Sequence, residues 1–212
     1  SAGEKSIPLI LKTISHENDA FLREKLITVL GKLGGNNAQA TLFELLEKYP
    51  SDAGTIAKSL HRSRFKATEE TQEKLEEISL AYIIYGSELL YMQSLLEHNK
   101  NYSLLNSSLN IELTEIRNVL ICLFGCLYDH EKAFKIKQGL DMKKKESVAN
   151  AMELIDMIVK KELAMPFNKL YEPTDVEYRS NSLKSFLPDD KVTGTQEIIS
   201  KILEEKPISY NV

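Results

Sequence analysis

The chain has 212 residues, 42% of them hydrophobic, with 27 Lys and Arg against 31 Asp and Glu for a formal charge of −4. That is enough apolar material for a continuous core, and both signs are interspersed, which excludes a disordered chain and a dedicated nucleic-acid binder with a net basic face. Nine Gly, six Pro and no Trp leave few backbone breakers, as expected of a mostly helical chain.

Ser1-Ala2-Gly3 shows neither a secretory pattern nor an initiator methionine, so the chain reads as an excised piece of something longer. The stretch Ile7–Gly35 then predicts a helical hairpin. Leu9, Ile10 and Ile14 recur at helical spacing on its first segment, and Phe21, Leu22, Leu26, Val29, Leu30 and Leu33 on its second. Neither stripe can be buried within one hairpin, so the pattern asks for neighbouring hairpins to stack against it. Asn36–Lys48 predicts a third helix, stopped by Tyr49-Pro50. Ser51 or Asp52 is placed to cap a fourth, running towards Phe65.

A far longer helix is expected from Thr68 to about His98, opening on Glu69, Glu70 and Glu73 at the positive end of its dipole. Its core face runs Leu75, Ile78, Tyr82, Tyr85, Leu89, Met92 and Leu96. The next, Tyr102 to Tyr128, is apolar almost all round in its second half and is expected to be the most buried. Gly86 and Gly125 lie inside these two elements and point to close helix crossings, since an interior glycine otherwise costs roughly 1 kcal/mol against alanine. Asp129 is placed to cap Glu131–Leu140, with helices over Lys143–Lys161 and Leu163–Tyr171 following and Pro173 as a break. Thr174 and Glu177 have capping-box spacing, which predicts a helix to about Phe186. Leu187–Gly194 reads as loop, Thr195–Glu205 as a short helix and Pro207–Val212 as a frayed tail. The longest uncharged apolar run, Val119–Tyr128, is about half of the ~20 residues a membrane-spanning helix needs.

Chemistry-bearing residues are dispersed. Cys122, Cys126 and His130 fall four apart on one helical side, but residues eight apart on a helix are separated by about 12 Å along its axis. Two core thiols and a joint histidine are therefore favoured over a zinc site that lacks a fourth ligand. A disulfide framework is not indicated, which suits a reducing compartment. Gly34-Gly35 ends a helix and has no accompanying Walker sequence. The Glu69–Glu77 cluster is read as a solvated helix start, and Tyr82, Tyr85 and Tyr91 as core. No catalytic residue, metal or cofactor is expected.

Two basic patches are candidate binding residues: Arg62, Arg64 and Lys66, and Lys135 and Lys137 (with Lys132) followed by Lys143, Lys144 and Lys145. Beside a bilayer such clusters contribute ~1 kcal/mol per basic residue towards anionic lipid. The alternative is an ordinary solvated surface, favoured because Glu131 and Asp141 interrupt the second patch.

Pro8 near the start of one helix, Arg23 early in the next and Leu30-Gly31 at its end resemble the HEAT-repeat superfamily. Later, Arg117-Asn-Val-Leu, Leu127-Tyr128-Asp129, Ala149-Asn150-Ala151-Met152-Glu153-Leu154-Ile155-Asp156 and Lys169-Leu170-Tyr171-Glu172-Pro173 follow in an order similar to the soluble HEAT-type domain of bacterial relatives of the ATP/ADP antiporter (nucleotide transporter) family. The resemblance covers nearly the whole chain. It implies that Arg23, Arg117, Asn150 and Asp156 are structural, pairing between stacked hairpins, and that a buried Asp156 would need a partner.

The sequence reading is thus an all-α, right-handed α-solenoid of stacked antiparallel hairpins, HEAT/armadillo-like, with two unusually long central helices. Its solenoid spans 4–186, and 187–212 carry a loop, a short helix and the tail. The expected role is a non-enzymatic protein-interaction or regulatory scaffold, a cytoplasmic domain at the inner face of the membrane in a longer transporter-like chain. It would contact its own membrane part, a protein partner or an anionic membrane surface. The rivals are a free-standing soluble scaffold and, from another class, a HEAT-like enzyme acting on DNA.

Overall fold

Local chemistry fixes the first hairpin. Pro8 sits in the first turn of α1 (Ile7–His16), where its missing N–H leaves no bond unmade. Asp19 starts α2 (Ala20–Leu33) by accepting hydrogen bonds from the Phe21 and Leu22 amides. The computed structural model describes residues 4–96, 100–142 and 144–189, together with Glu197 and Ser200. Among the described residues the chain is all helical, and no helix is long and apolar enough to cross a membrane.

The further helices are α3 (Gly35–Lys48), α4 (Ala53–Arg62), α5 (Glu69–Leu96), α6 (Ser103–Leu127), α7 (His130–Asp141), α8 (Lys145–Ile158), α9 (Lys161–Tyr171) and α10 (Val176–Ser182). α5 has 28 residues and α6 has 25. The expected Thr195–Glu205 helix lies outside the described residues apart from Glu197 and Ser200.

Helix α2 packs on α4 and α4 on α6, while α3 packs on both α2 and α4. Beyond α6 the order changes. α6 packs on α7, α7 on α8 and α8 on α9, and both α9 and α10 come back to α5. One apolar core runs through all of this, from Ile14, Ile27 and Leu30 through Leu60, Tyr82 and Phe124 to Phe167 and Leu170. The buried hydroxyls of Ser79 and Ser87 donate to the Leu75 and Ile83 carbonyls at 2.7 and 2.8 Å, so this polar content is satisfied within α5.

Glycines mark the closest crossings. A Cβ on Gly31 would stand 2.7–3.0 Å from Ser59, backbone included, so α2 and α4 approach nearly to contact there. At Gly125 a Cβ would come within 2.4 Å of the His61 ring, and at Gly86 within 3.2 Å of Leu170. Both glycines singled out by the sequence therefore face a neighbouring element.

Three local expectations are corrected. Asp52 stands before α4 but makes no capping bond with its side chain, because its carboxylate is taken by Arg23 of α2. The first turn of α10 is capped by Asp175, which accepts from the Tyr178 amide at 3.1 Å; the Thr174 hydroxyl turns back to Glu172, and α10 ends at Ser182 with a separate 3-10 turn at Lys184–Phe186. Asp156 is exposed and meets Asn168 of α9 at 2.9 Å, so its partner serves a surface joint. Of the other residues the resemblance made structural, Arg23 pairs with Asp52 and Arg117 of α6 with Asp141 of α7 at 2.7 Å.

Candidate functional site

The first basic patch lies on the turn that ends α4. The Ser63, Arg64 and Phe65 amides donate to Ser59, His61 and Leu60, each at 3.0 Å, the last bond closing the kind of turn that ordinarily holds glycine in the left-handed region. Arg64 occupies that place with φ 60°, the one non-glycine residue with positive φ among those described. The conformation costs an L-residue about 1 kcal/mol. The turn is held on three sides. Phe65 stacks on Phe43 of α3 with centroids 5.9 Å apart, Gln39 donates to the Ser63 carbonyl at 2.6 Å, and the Ala67 amide donates to the Cys126 carbonyl at the end of α6 at 2.8 Å.

This last bond brings the patch to the start of α7, where Asp129 caps the helix by accepting from the Lys132 amide at 2.9 Å. Arg64 reaches Glu131 at 3.6 Å, and both side chains remain largely in solvent. Beneath them the His61 and His130 rings stack, centroids 4.0 Å apart and 23° from parallel, with His61 filling the space left open by Gly125. Nε2 of His61 and Nδ1 of His130 are buried with no hydrogen-bond partner among the described residues. Burial, then the neighbouring His130 ring and the Arg64 guanidinium, hold His61 down to about 4.

A base whose pKa falls on folding is protonated more readily in the unfolded chain. Its contribution is therefore complete above the unfolded value near 6.5 and is lost as pH drops from there towards 4. With the exposed edge of the ring discounted for solvent, the loss amounts to roughly 2 kcal/mol. Urea unfolding at pH 7.5 and 4.5 should show a slope over this window that a His61→Gln variant lacks.

The two patches meet only in part. Arg62, Arg64 and Lys66 are exposed at the α4 turn, and Lys135 is exposed on α7 one helical turn after Glu131. Lys137 is turned to Asp141, which it shares with Arg117, so its charge is locally compensated. Lys144 and Lys145 are exposed at the start of α8, separated from the α4 turn by the length of α7, about 18 Å. Lys143 lies outside the described residues. The joint thus brings the exposed Arg62, Arg64 and Lys66 of the α4 turn to the start of α7, where Arg64 meets Glu131 and Lys132 meets Asp129 at 3.8 Å, with the lysines of α8 elsewhere.

Cys122 and Cys126 line the core side of α6. Burial pushes the Cys122 thiol up to about 11 and the Cys126 thiol higher still, so neither is a ready thiolate. Among the described residues no group of three potential metal ligands is assembled, and His130 faces His61 instead of the thiols.

A surface of opposite sign lies along the first turns of α5. Glu73, Glu76, Glu77 and Leu80 face Lys160, Glu162 and Leu163 across a cleft of about 570 Å³. Lys160 reaches Glu76 at 2.6 Å. Burial works to raise the Glu76 carboxyl, and the hydrogen bonds from Lys160 and Gln72 overcome it, holding it below the usual carboxylate range. The acidic start of α5 is therefore one wall of a groove, which helical spacing alone does not reveal.

Comparison with protein-family models, curated proteins and solved structures returns no match. The HEAT-type resemblance accordingly rests on the residues that carry it.

Proposed function

We propose that this chain is a non-enzymatic interaction scaffold of HEAT type, a right-handed stack of hairpins whose last helices fold back on α5, serving as the cytoplasmic domain of a transporter-like membrane protein. The observation that supports it most directly is the Arg23–Asp52 pair. An arginine early in the second helix of one hairpin reaches the acidic residue that opens the second helix of the next, with the Asp52 side chain 3% exposed. This is the inter-hairpin role the resemblance implies for Arg23.

The coding sequence on the N-terminal side of this segment tests the placement. Ten or more hydrophobic spans there would make this an appended domain of a transporter; a start codon just before residue 4 would overturn that placement and leave a free-standing scaffold.

Within this reading the α4–α7 joint is the contact for an anionic membrane surface. Arg64 supplies the variant that separates binding from folding. Arg64→Gly should have a urea midpoint no lower than wild type, with Arg64→Ala below Arg64→Gly by about 1 kcal/mol, because only glycine takes the left-handed turn without strain. Co-sedimentation of Arg64→Gly with vesicles containing phosphatidylserine should weaken about fivefold at low salt, the worth of one basic residue at such a surface. Equal sedimentation of the two proteins would remove the joint from the membrane contact.

A further inference from the structure

Helix α2 has two apolar faces, and only one is used inward. Ile27, Leu30 and Gly31 are buried, with Gly31 against Ser59 of α4. Leu22, Leu26, Val29 and Leu33 form a second row at spacings of four, three and four, the alternation that lets one helix seat knobs in the holes of another. In this row Leu26 is packed on the core, whereas Leu22, Val29 and Leu33 are 43%, 39% and 40% exposed. The sequence pattern calls for a neighbour on this stripe, and the described residues cover it only in part.

The border of the row says what the neighbour is. Lys25 and Lys32 each stand one residue before a core position, Leu26 and Leu33, the flanking place whose charge selects the partner in paired helices. Both lysines are exposed, and Lys25 holds its ammonium 4.7 Å from the Phe21 ring centroid, beside the row. The one acid of the helix, Glu24, falls on another side, about 200° around from Leu22 at 100° per residue. The row is therefore apolar along its centre and cationic along its open edge.

We propose that this face of α2 docks an amphipathic helix whose apolar stripe follows the same alternating spacing and whose flanking positions are acidic. Carboxylates opposite Lys25 and Lys32 would set orientation and exclude basic helices, while Leu22, Val29 and Leu33 lose their contact with water. The proposal deepens the scaffold reading by naming the chemistry of one partner.

The test uses two designed helices of identical Leu core, one with Glu and the other with Lys at the flanking positions, titrated against the whole chain by fluorescence anisotropy. Wild type should bind the Glu helix and not the Lys helix. The reversal Lys25→Glu with Lys32→Glu, both on the surface, should weaken the Glu helix by about tenfold and admit the Lys helix. Val29→Asp should abolish binding of either, with circular dichroism confirming that each variant is folded. Equal binding of the two helices by wild type, or binding of neither, overturns the proposal. So does a wild-type dimer that Val29→Asp dissociates, which would give the face to a second copy, or vesicle binding that Val29→Asp removes, which would give it to lipid. Failure here leaves the α4–α7 joint and the scaffold reading standing, whereas a start codon before residue 4 removes the transporter placement and leaves this face intact.

Discussion

Asp52→Ala is expected to destabilise the protein by about 3–5 kcal/mol, the usual consequence of stranding one member of a shielded ion pair. Arg23 is 13% exposed in its side chain, donates to both Asp52 oxygens and holds its guanidinium 5.5 Å from the Tyr49 ring centroid. An arginine cannot shed its proton to escape the loss, so the charge must remain buried or the α2–α4 crossing must open. In a chain of this size such a change lowers the melting temperature by about 10 °C. Replacing both partners with apolar residues, Arg23→Met with Asp52→Leu, should recover most of the loss, because the desolvation of two charges disappears with their attraction. A single-variant cost under about 1 kcal/mol in urea unfolding would mean that water reaches the pair and that it contributes as a surface bridge does.

Phe124→Ala is expected to cost a similar 3–5 kcal/mol, through a different mechanism. The ring is fully buried and meets Phe167 of α9 edge-on, centroids 5.4 Å apart at 64°, while Phe167 in turn lies 4.9 Å from Tyr171. These rings fill the interior between α6 and α9, and truncating Phe124 leaves a void that the flanking helices cannot close, because α9 is also held to α5. A double-mutant cycle of Phe124→Ala with Phe167→Leu, read from urea midpoints, should return a coupling of about 0.5–1.5 kcal/mol. A coupling near zero would show that the two rings contribute separately.

Much of the helical order was legible because it is written locally. Asp129 before α7 and the Tyr49-Pro50 stop after α3 act within one turn of chain, and the core face of α5 follows a fixed period; all lie where the sequence places them, with Tyr85 only half-buried. What was not legible depends on partners far along the chain. Asp52 looks like a cap because nothing near it reveals Arg23, 29 residues earlier. Thr174 has the right spacing for a capping box, but the adjacent Asp175 takes the cap and leaves the threonine to Glu172. Periodicity placed Leu22, Val29 and Leu33 on an apolar stripe without saying whether anything would cover it.

The candidate site follows the same division. Its basic residues are plain in the sequence, yet the facts that make them a site are conformational and remote. Arg64 takes a left-handed turn where no glycine announces one, and His61 meets His130 across a loop that contains two whole helices. At the acidic start of α5, Glu69, Glu70, Glu73 and Glu77 are exposed as the sequence suggests, and what it does not reveal is the contact of half-buried Glu76 with Lys160 from the other end of the fold.

The return of α9 and α10 to α5 has a consequence for how the molecule comes apart. A string of repeats can unzip from either end, each unit leaving at the cost of one neighbour. Here α5 through α9 form a closed circuit in which every helix is held between its two neighbours in the ring, whereas α1 lies outside it, at an edge and chiefly on α2. The N-terminal hairpin can open locally, but the circuit opens as one cooperative unit. Its closing contact joins segments separated by three intervening helices, so folding has to wait for a distant end of the chain to arrive, and formation of this half is slower than its helix content alone would suggest.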